Sequence, residues 1–399
     1  MRRFVLNIAI LTVSALLVFA IVQNYISFRD RQRAELCRDK YLWNKAEKFF
    51  RKSISANPYN SNYYSDYADF LLYQSNFSKN TGELLLLAGD LYARAYSLNP
   101  CWREYPLKIA QVKIRLTGIA GKEFPKTLGK LSEEAMEFFR KAYANDPNGF
   151  NTSYVIGYYG IQIYNILRGN DKDFIAGRLK YSLNERPWYS VYIYPIVWNS
   201  TKQYSVLEKI TPDTLITNEL LFLFMTQDPE LIKQWHGQYK KIQELKQNAD
   251  TDELNGKKAR IEEIKDKLLS VLDEANGKNI DGSIWVGISE QGDQDISGGN
   301  MFFNGIVFGA AGFSPGKSEI KISAKGAKSD DMWPYMIVLL DDEIIGETFV
   351  KTDDWSEYSF SINSDGGPKI ISIMFINDGG NEKEDRNLYI GDAWVEKIK

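Results

Sequence analysis

The chain has 399 residues, with 49 Lys and Arg against 52 Asp and Glu, and apolar residues make up 44% of it. This length predicts two or three domains, the apolar content excludes wholesale disorder, and the balanced charge argues against a nucleic-acid-binding protein. The single histidine, His236, and the two cysteines, Cys37 and Cys101, argue against a Cys/His zinc site and a disulfide scaffold. Carboxylate chemistry, binding of a hard cation, or no catalysis remains.

The first predicted element is a membrane span. Residues 4–26 carry no charge, follow Arg2 and Arg3, and are long enough for the roughly 30 Å hydrocarbon core of a bilayer. A cleaved signal peptide is the alternative, but no small-x-small cleavage site follows the apolar run. We therefore predict an uncleaved anchor at 4–26 behind a cytoplasmic tail at 1–3, with a juxtamembrane linker at 27–40.

Two charge arguments bear on the orientation of this anchor. The N-terminal arginines favour a cytoplasmic N-terminus, whereas five basic residues after the span oppose it. These five are Arg29, Arg31, Arg33, Arg38 and Lys40. A very short tail with a long domain behind it is the usual signal-anchor arrangement. We predict a single-pass protein of the inner membrane with most of its chain on the periplasmic side, where the sequence leaves open whether Cys37 and Cys101 pair.

The next region, 41–204, contains a repeated pattern of alanine, an aromatic residue, a small residue and proline. The copies are Ala46, Phe50, Ser53, Pro58; Ala88, Tyr92, Ala95, Pro100; Ala135, Phe139, Ala142, Pro147; and, with the alanine one place late and leucine for the aromatic residue, Ala176, Leu179, Ser182, Pro187. Small residues let two helices approach closely, the aromatic residue fills the gap to the next helix, and proline ends the hairpin.

This pattern resembles the second helix of the tetratricopeptide repeat, and we predict a solenoid of such helical hairpins. The resemblance implies a concave surface for a protein partner. The many tyrosines of the region stand at helical spacing, among them Tyr63, Tyr64, Tyr67, Tyr158 and Tyr159. They either pack between helices or line an aromatic groove for a ligand.

The segment 205–276 stays helical but is charged on most faces. It has one apolar stripe, formed by Ile261, Ile264, Leu268, Leu269 and Leu272. We predict a helical hairpin, broken near 248–256, that forms a stalk or a cap. His236 lies in a polar stretch of this segment, so we expect a surface or helix-capping residue, because no partner for catalysis is evident.

The final segment, 283–399, changes to glycine-rich runs with a period of two. The clearest alternating apolar sets are Ile320, Ile322, Ala324 and Tyr358, Phe360, Ile362. Such runs between Gly and Asp turns predict an antiparallel β-sandwich. The predicted fold is therefore multi-domain, with an N-terminal transmembrane helix, an α-helical tetratricopeptide-like solenoid and a C-terminal antiparallel β-sandwich.

The most specific motif of the chain lies in this last segment. Asn377 and Asp378 end a predicted strand, an acidic loop follows, and Asp-Arg-Asn-Leu at 385–388 opens the next strand. The segment resembles the calcium-dependent xylan-binding family of carbohydrate-binding modules, whose pattern is Phe-x-Asn-Asp, a variable loop and Asp-Arg-Asn-Leu. In that family a loop of the sandwich holds Ca²⁺, and the ion coordinates sugar hydroxyls directly.

The resemblance implies that Asp378 and Asp385 are calcium ligands, with Glu384 contributing a carboxylate or backbone oxygen. The residue types agree, since Ca²⁺ takes six to eight oxygen ligands, and carboxylates this close repel one another unless a cation is bound. Arg386 is expected to pair with an acidic group beneath the loop. The alternative interpretation is an acidic surface loop that is merely solvated.

For carbohydrate binding, the resemblance implies Asn377, Asp378 and Asp385. Trp333 and Trp355 are candidates for stacking on sugar rings, although a sandwich also needs aromatic residues in its core. A glycosidase likewise uses two carboxylates, but carboxylates clustered on one loop suit a cation better than an acid and base that flank a substrate. We therefore predict no enzymatic activity.

Together these features predict a membrane-anchored protein that binds polysaccharide through a Ca²⁺-dependent β-sandwich and a protein partner through its repeats. A role in extracellular polysaccharide assembly or export is consistent with this combination. The alternative is a protein–protein scaffold whose carbohydrate-module-like domain no longer binds sugar. Neither hypothesis involves nucleic acid.

Overall fold

A computed structural model describes residues 2–121, 125–248, 252–275, 279–280, 285–289, 295–381 and 383–398. The chain forms two compact units, Met1–Pro212 and Asp213–Lys399. The first unit is helical, and the second combines helices with two antiparallel β-sheets.

The helical unit consists of helices joined by short turns. They are α1 (Arg2–Asp39), α2 (Trp43–Ala56), α3 (Ser61–Gln74), α4 (Thr81–Leu98), α5 (Glu104–Ala120), α6 (Pro125–Asn145), α7 (Phe150–Gly160), α8 (Gly169–Glu185), α9 (Ser190–Thr201) and α10 (Tyr204–Ile210). Helix α7 continues as a 3₁₀ helix over Ile161–Ile166. Helices α1 and α2, α3 and α4, α5 and α6, and α7 and α8 pack as consecutive hairpins, and α4 also packs extensively on α5.

Helix α1 has two parts with different surroundings. Its N-terminal part is apolar and exposed, and among the described residues α1 is the one helix long and apolar enough to cross a membrane. Its C-terminal part packs against α2, where Ala34 is fully buried, and the Asn24 side chain accepts a hydrogen bond from Asn57. The segment 27–40, expected as a linker, is therefore helical to Asp39 and completes the first hairpin.

The repeat pattern occupies the second helix of each hairpin, and its small and aromatic residues lie in the core. Those that are fully or almost fully buried are Ala46, Phe50, Ser53, Ala88, Tyr92, Ala95, Ala135, Phe139, Ala142, Ala176, Leu179 and Ser182. The rings of Phe50 and Phe70 lie 5.2 Å apart between neighbouring helices. The prediction of a tetratricopeptide-like helical solenoid is confirmed.

The tyrosines of this unit lie in two kinds of surroundings. Tyr63 and Tyr67 are buried in the helix packing. Tyr158 and Tyr159 instead line a groove of about 640 Å³ together with other side chains of α7 and α9. These other side chains are Tyr154, Val155, Val191, Tyr192, Pro195 and Ile196. Cys37 and Cys101 are both free thiols.

The second unit contains two antiparallel sheets. The first has the strand order β1 (Asn279–Ile280), β11 (Asn387–Lys397), β6 (Gly316–Ala327), β9 (Ser356–Ser364), with β4 (Asn300–Met301) also paired to β11. The second has the order β3 (Asp295–Ser297), β2 (Val286–Ser289), β5 (Gly305–Phe313), β10 (Gly367–Phe375), β7 (Tyr335–Leu340), β8 (Glu343–Phe349). We call them sheet A and sheet B.

The inner faces of the two sheets form the sandwich core. Ile320, Ile322 and Ala324 are fully buried there, as their alternation predicted, and Phe360 is buried beside the partly buried Tyr358 and Ile362. Trp285 lies in the same core, and its indole N–H donates to the Gly391 carbonyl at 2.8 Å. The predicted antiparallel β-sandwich is confirmed.

The outer face of sheet B is covered by three helices, α11 (Leu215–Thr226), α12 (Trp235–Asn248) and α13 (Asp252–Ala275). The predicted stripe on α13 contacts Phe308, Ala310 and Ile370 through Ile261, Ile264, Leu268 and Leu269. The Leu272 side chain and residues 249–251 at the expected break lie outside the described part. Sheet B is thus buried on both faces, which explains the continuous burial of β10 from Ile370 to Phe375.

His236 lies exposed on α12 and contacts sheet B through a carboxylate. Its Nε2 lies 2.8 Å from Glu347 Oε2, and the indole N–H of the buried Trp235 donates to the same oxygen at 2.6 Å. No sequence pattern points to this partner, since Glu347 is more than a hundred residues away on β8. The contact joins a helix to the sandwich.

Candidate functional site

The loop between β10 and β11 forms a tight turn. Gly380 and Asp385 form an isolated β-bridge, and the Asn381 N–H donates to the Glu384 carbonyl at 2.8 Å. The Asn381 side-chain oxygen accepts the N–H groups of Lys383 and Glu384. Local hydrogen bonds therefore shape this loop, in which Glu382 lies outside the described residues.

A second loop, between β6 and β7, lies against the first. Asp330 and Asp331 have positive φ angles of 52° and 58°, and Ser329 and Met332 bridge across this turn. Asn381 Nδ2 donates to Asp330 Oδ1 at 2.9 Å, and the Asp330 N–H donates to Glu384 Oε2 at 3.3 Å. The two loops therefore form one surface at the same end of the sandwich.

Arg386 is buried beneath both loops and holds them together through hydrogen bonds. Its guanidinium donates to the carbonyls of Met332 at 3.0 Å, Ser329 at 2.8 Å and Asn377, and to Gln227 Oε1 at 3.0 Å. Its hydrogen bonds thus go to carbonyl oxygens and not to an acidic group, which corrects the expected pairing. Burial lowers the pKa of Arg386, and the nearby carboxylates of Asp330 and Asp378 partly offset this.

Asn377 holds the backbone of the adjacent strand. Its side chain is fully buried, accepts from the Tyr335 N–H at 2.6 Å and donates to the Trp333 carbonyl at 2.9 Å. A predicted carbohydrate-binding residue therefore lies under the surface, where it fixes the start of β7 relative to the end of β10.

The carboxylate of Asp378 has an oxygen with unusual surroundings. Its N–H donates to Asn304 Oδ1 at 2.7 Å, while its carboxylate Oδ1 is buried without a hydrogen-bond donor in the described structure. Burial raises the pKa of Asp378, and the neighbouring Asp385 carboxylate raises it further; the Gly379 N–H and the charge of Arg386 oppose the shift. A buried acceptor facing a like charge is costly unless a cation or proton compensates it.

Two of the three predicted metal ligands, Asp378 and Asp385, are near enough for their charges to interact. The exposed Asp385 interacts electrostatically with Asp378, and its Oδ2 accepts from Asn387 Nδ2 at 3.2 Å. The Asn387 Oδ1 is a second buried acceptor without a donor among the described groups. Glu384 points instead to the Asp330 N–H, and among the described residues no group of three His, Cys, Asp or Glu side chains converges as a metal site.

The two predicted stacking tryptophans have different surroundings. Trp333 is partly buried, and its carbonyl is held by Asn377. Trp355 is 51% exposed at the start of β9, with Lys325 Nζ 5.1 Å from its ring. Of the two, Trp355 is thus the one that presents a large aromatic surface to solvent.

Sequence reasoning missed three residues that build the site from other elements. Asn304 supports Asp378, Ser329 accepts from Arg386, and Gln227 at the end of α11 contacts both Arg386 and the Asp378 carbonyl. No local pattern points to them, because their partners lie between 57 and 159 residues away. The one available signal was Arg386 itself, a charged residue that directly precedes strand β11.

The comparison with known families agrees with the sandwich. Residues 319–397 match the model of the family CBM60, described as a Ca-dependent carbohydrate-binding module that binds xylan. The match includes both loops of the site and Arg386. No curated protein has significant sequence similarity to the chain.

Solved structures similar to parts of the chain fall into two groups. A thermophilic TPR protein of Thermus thermophilus is 14% identical, with a TM-score of 0.34, and the match covers 53% of this chain and 98% of that one. The CBM36-1 domain of a multidomain xylanase from the Trinervitermes trinervoides hindgut metagenome is 16% identical (TM-score 0.24; 30% of this chain, 97% of that one). A CBM36 module in complex with calcium and xylotriose is 10% identical (TM-score 0.21; 30% and 98%).

Replacing Arg386 with methionine tests its role in holding the loops. Three backbone carbonyls lose a charged donor in a buried place, so we expect a local loss of about 3 kcal/mol. Hydrogen exchange of the amides in 377–387 and 329–335 should accelerate about a hundredfold, because local opening free energy sets that rate. Exchange measured by mass spectrometry on the full chain reports both loops.

The matched control is Lys383→Met, which removes an exposed cation from the same loop. It should leave the exchange of 329–335 unchanged. If Arg386→Met and Lys383→Met behave alike, the guanidinium does not hold the loops together.

Proposed function

We propose that this protein is a non-enzymatic membrane-anchored glycan-binding protein. Its C-terminal sandwich binds polysaccharide with the help of Ca²⁺, and its helical repeats bind a protein partner. The observation that carries the proposal is the buried, donorless Oδ1 of Asp378 beside the Asp385 carboxylate, within a segment that resembles a calcium-dependent carbohydrate-binding family. A role in assembly or export of extracellular polysaccharide is part of the proposal.

The residues present fit a hard cation. Asp378 and Asp385 would hold it, and the Asn387 side-chain oxygen is available beside them. These are the oxygen ligands that Ca²⁺ prefers, and the ion would relieve both the burial of Asp378 and the repulsion between the two carboxylates. Glu384 stays a predicted third ligand that would first have to leave the Asp330 N–H.

The bound ion would supply coordination positions for sugar hydroxyls. The chain's own residues position the site. Arg386 fixes the two loops, Asn377 fixes the strands beneath them, and Asn304 orients the Asp378 backbone. Because these hydrogen bonds are formed without any ligand, little ordering entropy would be lost on binding.

The two carboxylates do not suit glycoside hydrolysis. Asp378 and Asp385 lie on one loop, and the surrounding hydrogen bonds hold that loop against the second loop. A hydrolase needs an acid and a base on opposite sides of the scissile bond. Carbohydrate-binding modules and tetratricopeptide-like repeats are non-catalytic domain types, and we propose binding alone.

Membrane anchoring by α1 is supported by its length and composition. The contact between Asn24 and Asn57, and the buried Ser27, indicate that one face of the helix packs against protein from Asn24 onward. The part left for the bilayer is 4–22, which at 1.5 Å per residue is about 28 Å long and matches the hydrocarbon core. The anchor would thus continue directly into the first repeat hairpin.

A protein partner on the repeats is supported by the aromatic groove on α7 and α9. Near it, Trp188, Val191 and Tyr192 are each more than 60% exposed. Large apolar side chains clustered on a surface are typical of interaction sites. The alternative function, a scaffold whose sandwich has lost sugar binding, is favoured only by the failure of Glu384 to converge with the other two carboxylates in the described structure.

Calcium should raise the thermal midpoint of the C-terminal unit in the detergent-solubilised full chain. Saturation at about a hundred times the dissociation constant stabilises by about 2.7 kcal/mol, which corresponds to about 5–10 °C for a unit of this size. Asp385→Asn should abolish the rise. Asp378→Asn should abolish it too, yet leave the calcium-free midpoint unchanged or higher, since the neutral side chain removes a buried like charge.

A control and a variant of the predicted third ligand sharpen this experiment. Asp365→Asn removes an exposed carboxylate from a turn between β9 and β10 and should keep the full rise. Glu384→Gln should keep most of it, because its carboxylate already bonds the Asp330 N–H. A midpoint that ignores calcium, or a rise that survives Asp385→Asn, would contradict the calcium proposal.

The exposed thiol of Cys101 reports the side of the membrane on which the repeats lie. In a Cys37→Ser background, a membrane-impermeant maleimide added to cells with a permeabilised outer membrane should label Cys101 without lysis. The matched variant, Arg2→Cys in a chain without other cysteines, should react only after lysis. The opposite pattern would mean that the repeats are cytoplasmic.

A further inference from the structure

An aromatic row crosses the outer face of sheet A. Ser356 is paired with Ala324, and Lys325 with Tyr389, so Trp355, Lys325 and Tyr389 lie side by side on three neighbouring strands. Lys325 Nζ is 5.1 Å from the Trp355 ring and 5.2 Å from the Tyr389 ring. Phe302 extends the row, with its ring 5.9 Å from that of Tyr389.

The row points to solvent. Ala324, Leu388 and Ile390 belong to the core, so Lys325 and Tyr389 between them face outward. Trp355 is 51% and Phe302 47% exposed. The helices α11–α13 pack on sheet B and leave this face of sheet A uncovered in the described part of the second unit.

The cation of this row has no anionic partner in the described structure. Lys321, four residues earlier on the same face, is held by Glu357 and Glu396 at 3.1 Å each. Lys325 forms no ion pair with any described carboxylate and contacts two aromatic faces instead. A protein can stabilise an ammonium over aromatic rings and still leave it able to meet an anion.

The row also lies close to the acidic loop. Asp385 precedes Tyr389 by four residues, which at about 3.3 Å per residue places them within about 13 Å of each other. The distance between the two outer strands of the row, β9 and β11, is two strand spacings, or about 10 Å. One polysaccharide chain is long enough to contact both the loop and the row.

We propose that this row is a second contact surface for the polysaccharide and that it selects chains carrying uronic acid. The rings of Trp355, Tyr389 and Phe302 would stack on the apolar faces of sugar rings. Lys325 would pair with a sugar carboxylate, supplying the charge complementarity that a neutral glycan lacks. This inference rests on the proposed carbohydrate binding and specifies the class of polysaccharide.

The test measures the affinity of the detergent-solubilised full chain for two polymers of similar chain length at one calcium concentration. The polymers are glucuronoxylan and unsubstituted linear xylan. The wild type should bind glucuronoxylan about three- to fivefold more tightly, as an exposed ion pair predicts, and added NaCl should erase the difference. Lys325→Gln should lower the affinity for glucuronoxylan to that for unsubstituted xylan, which removes the preference. Trp355→Ala should weaken both polymers together, by about tenfold.

The matched control is Lys317→Gln, an exposed lysine at the far end of the same strand, which should keep the preference. Equal affinity of the wild type for both polymers, or a preference that survives Lys325→Gln, would overturn the inference while leaving glycan binding intact. If the wild type binds neither polymer with calcium present, the proposed carbohydrate binding fails and the inference with it.

Discussion

The candidate site depends on one buried cation, the guanidinium of Arg386. Desolvating an arginine is costly, and here the cost is offset by donors paired with three backbone carbonyls and Gln227. Those carbonyls belong to two different loops, so the guanidinium that needs them as hydrogen-bond acceptors also joins the loops. The positive charge of Arg386 lies beneath Asp378 and Asp330, where it partly offsets the repulsion between acidic side chains. The remaining repulsion is what makes the surface above it attractive to a cation.

The rest of the second unit leaves this surface free. Three helices cover the outer face of sheet B, whereas the loop surface around Asp385 and the outer face of sheet A stay uncovered in the described part of this unit. In the first unit, α1 continues without a break from its apolar part into the first hairpin. An anchor that is continuous with a repeat would hold the partner-binding surface at a defined height above a membrane. The two units thus correspond to the two kinds of binding that we propose.

The sequence predicted those features that depend on local periodicity. The repeat pattern ending at Pro58 and Pro100 placed small and aromatic residues in the helix cores, and the alternation around Ile322 placed the sandwich strands. It also led to the Asp378 and Asp385 pair, because both belong to a short contiguous motif. It failed for Arg386, whose partners are carbonyls that any residue type could supply. A pattern cannot reveal such partners, since backbone groups carry no sequence signature.

Contacts between distant segments could not be predicted from the sequence for the same reason. Gln227 contacts Arg386, which lies 159 residues further along the chain. The aromatic row that contains Lys325 brings together residues from three strands and from a turn. Glu384 looked equivalent to its neighbour in the acidic loop, but the left-handed turn at Asp330 presents an N–H that binds its carboxylate. Which of several acidic side chains remains free is decided by these contacts and not by composition.

The most direct test of the account is reversible retention of the full chain on xylan. Wild-type protein should be retained with calcium, released by EGTA and retained again when calcium is restored, whereas Asp378→Asn should pass through under all three conditions. Retention that EGTA does not release, or that Asp378→Asn keeps, would contradict the central claim that the Asp378–Asp385 pair binds glycan through a cation.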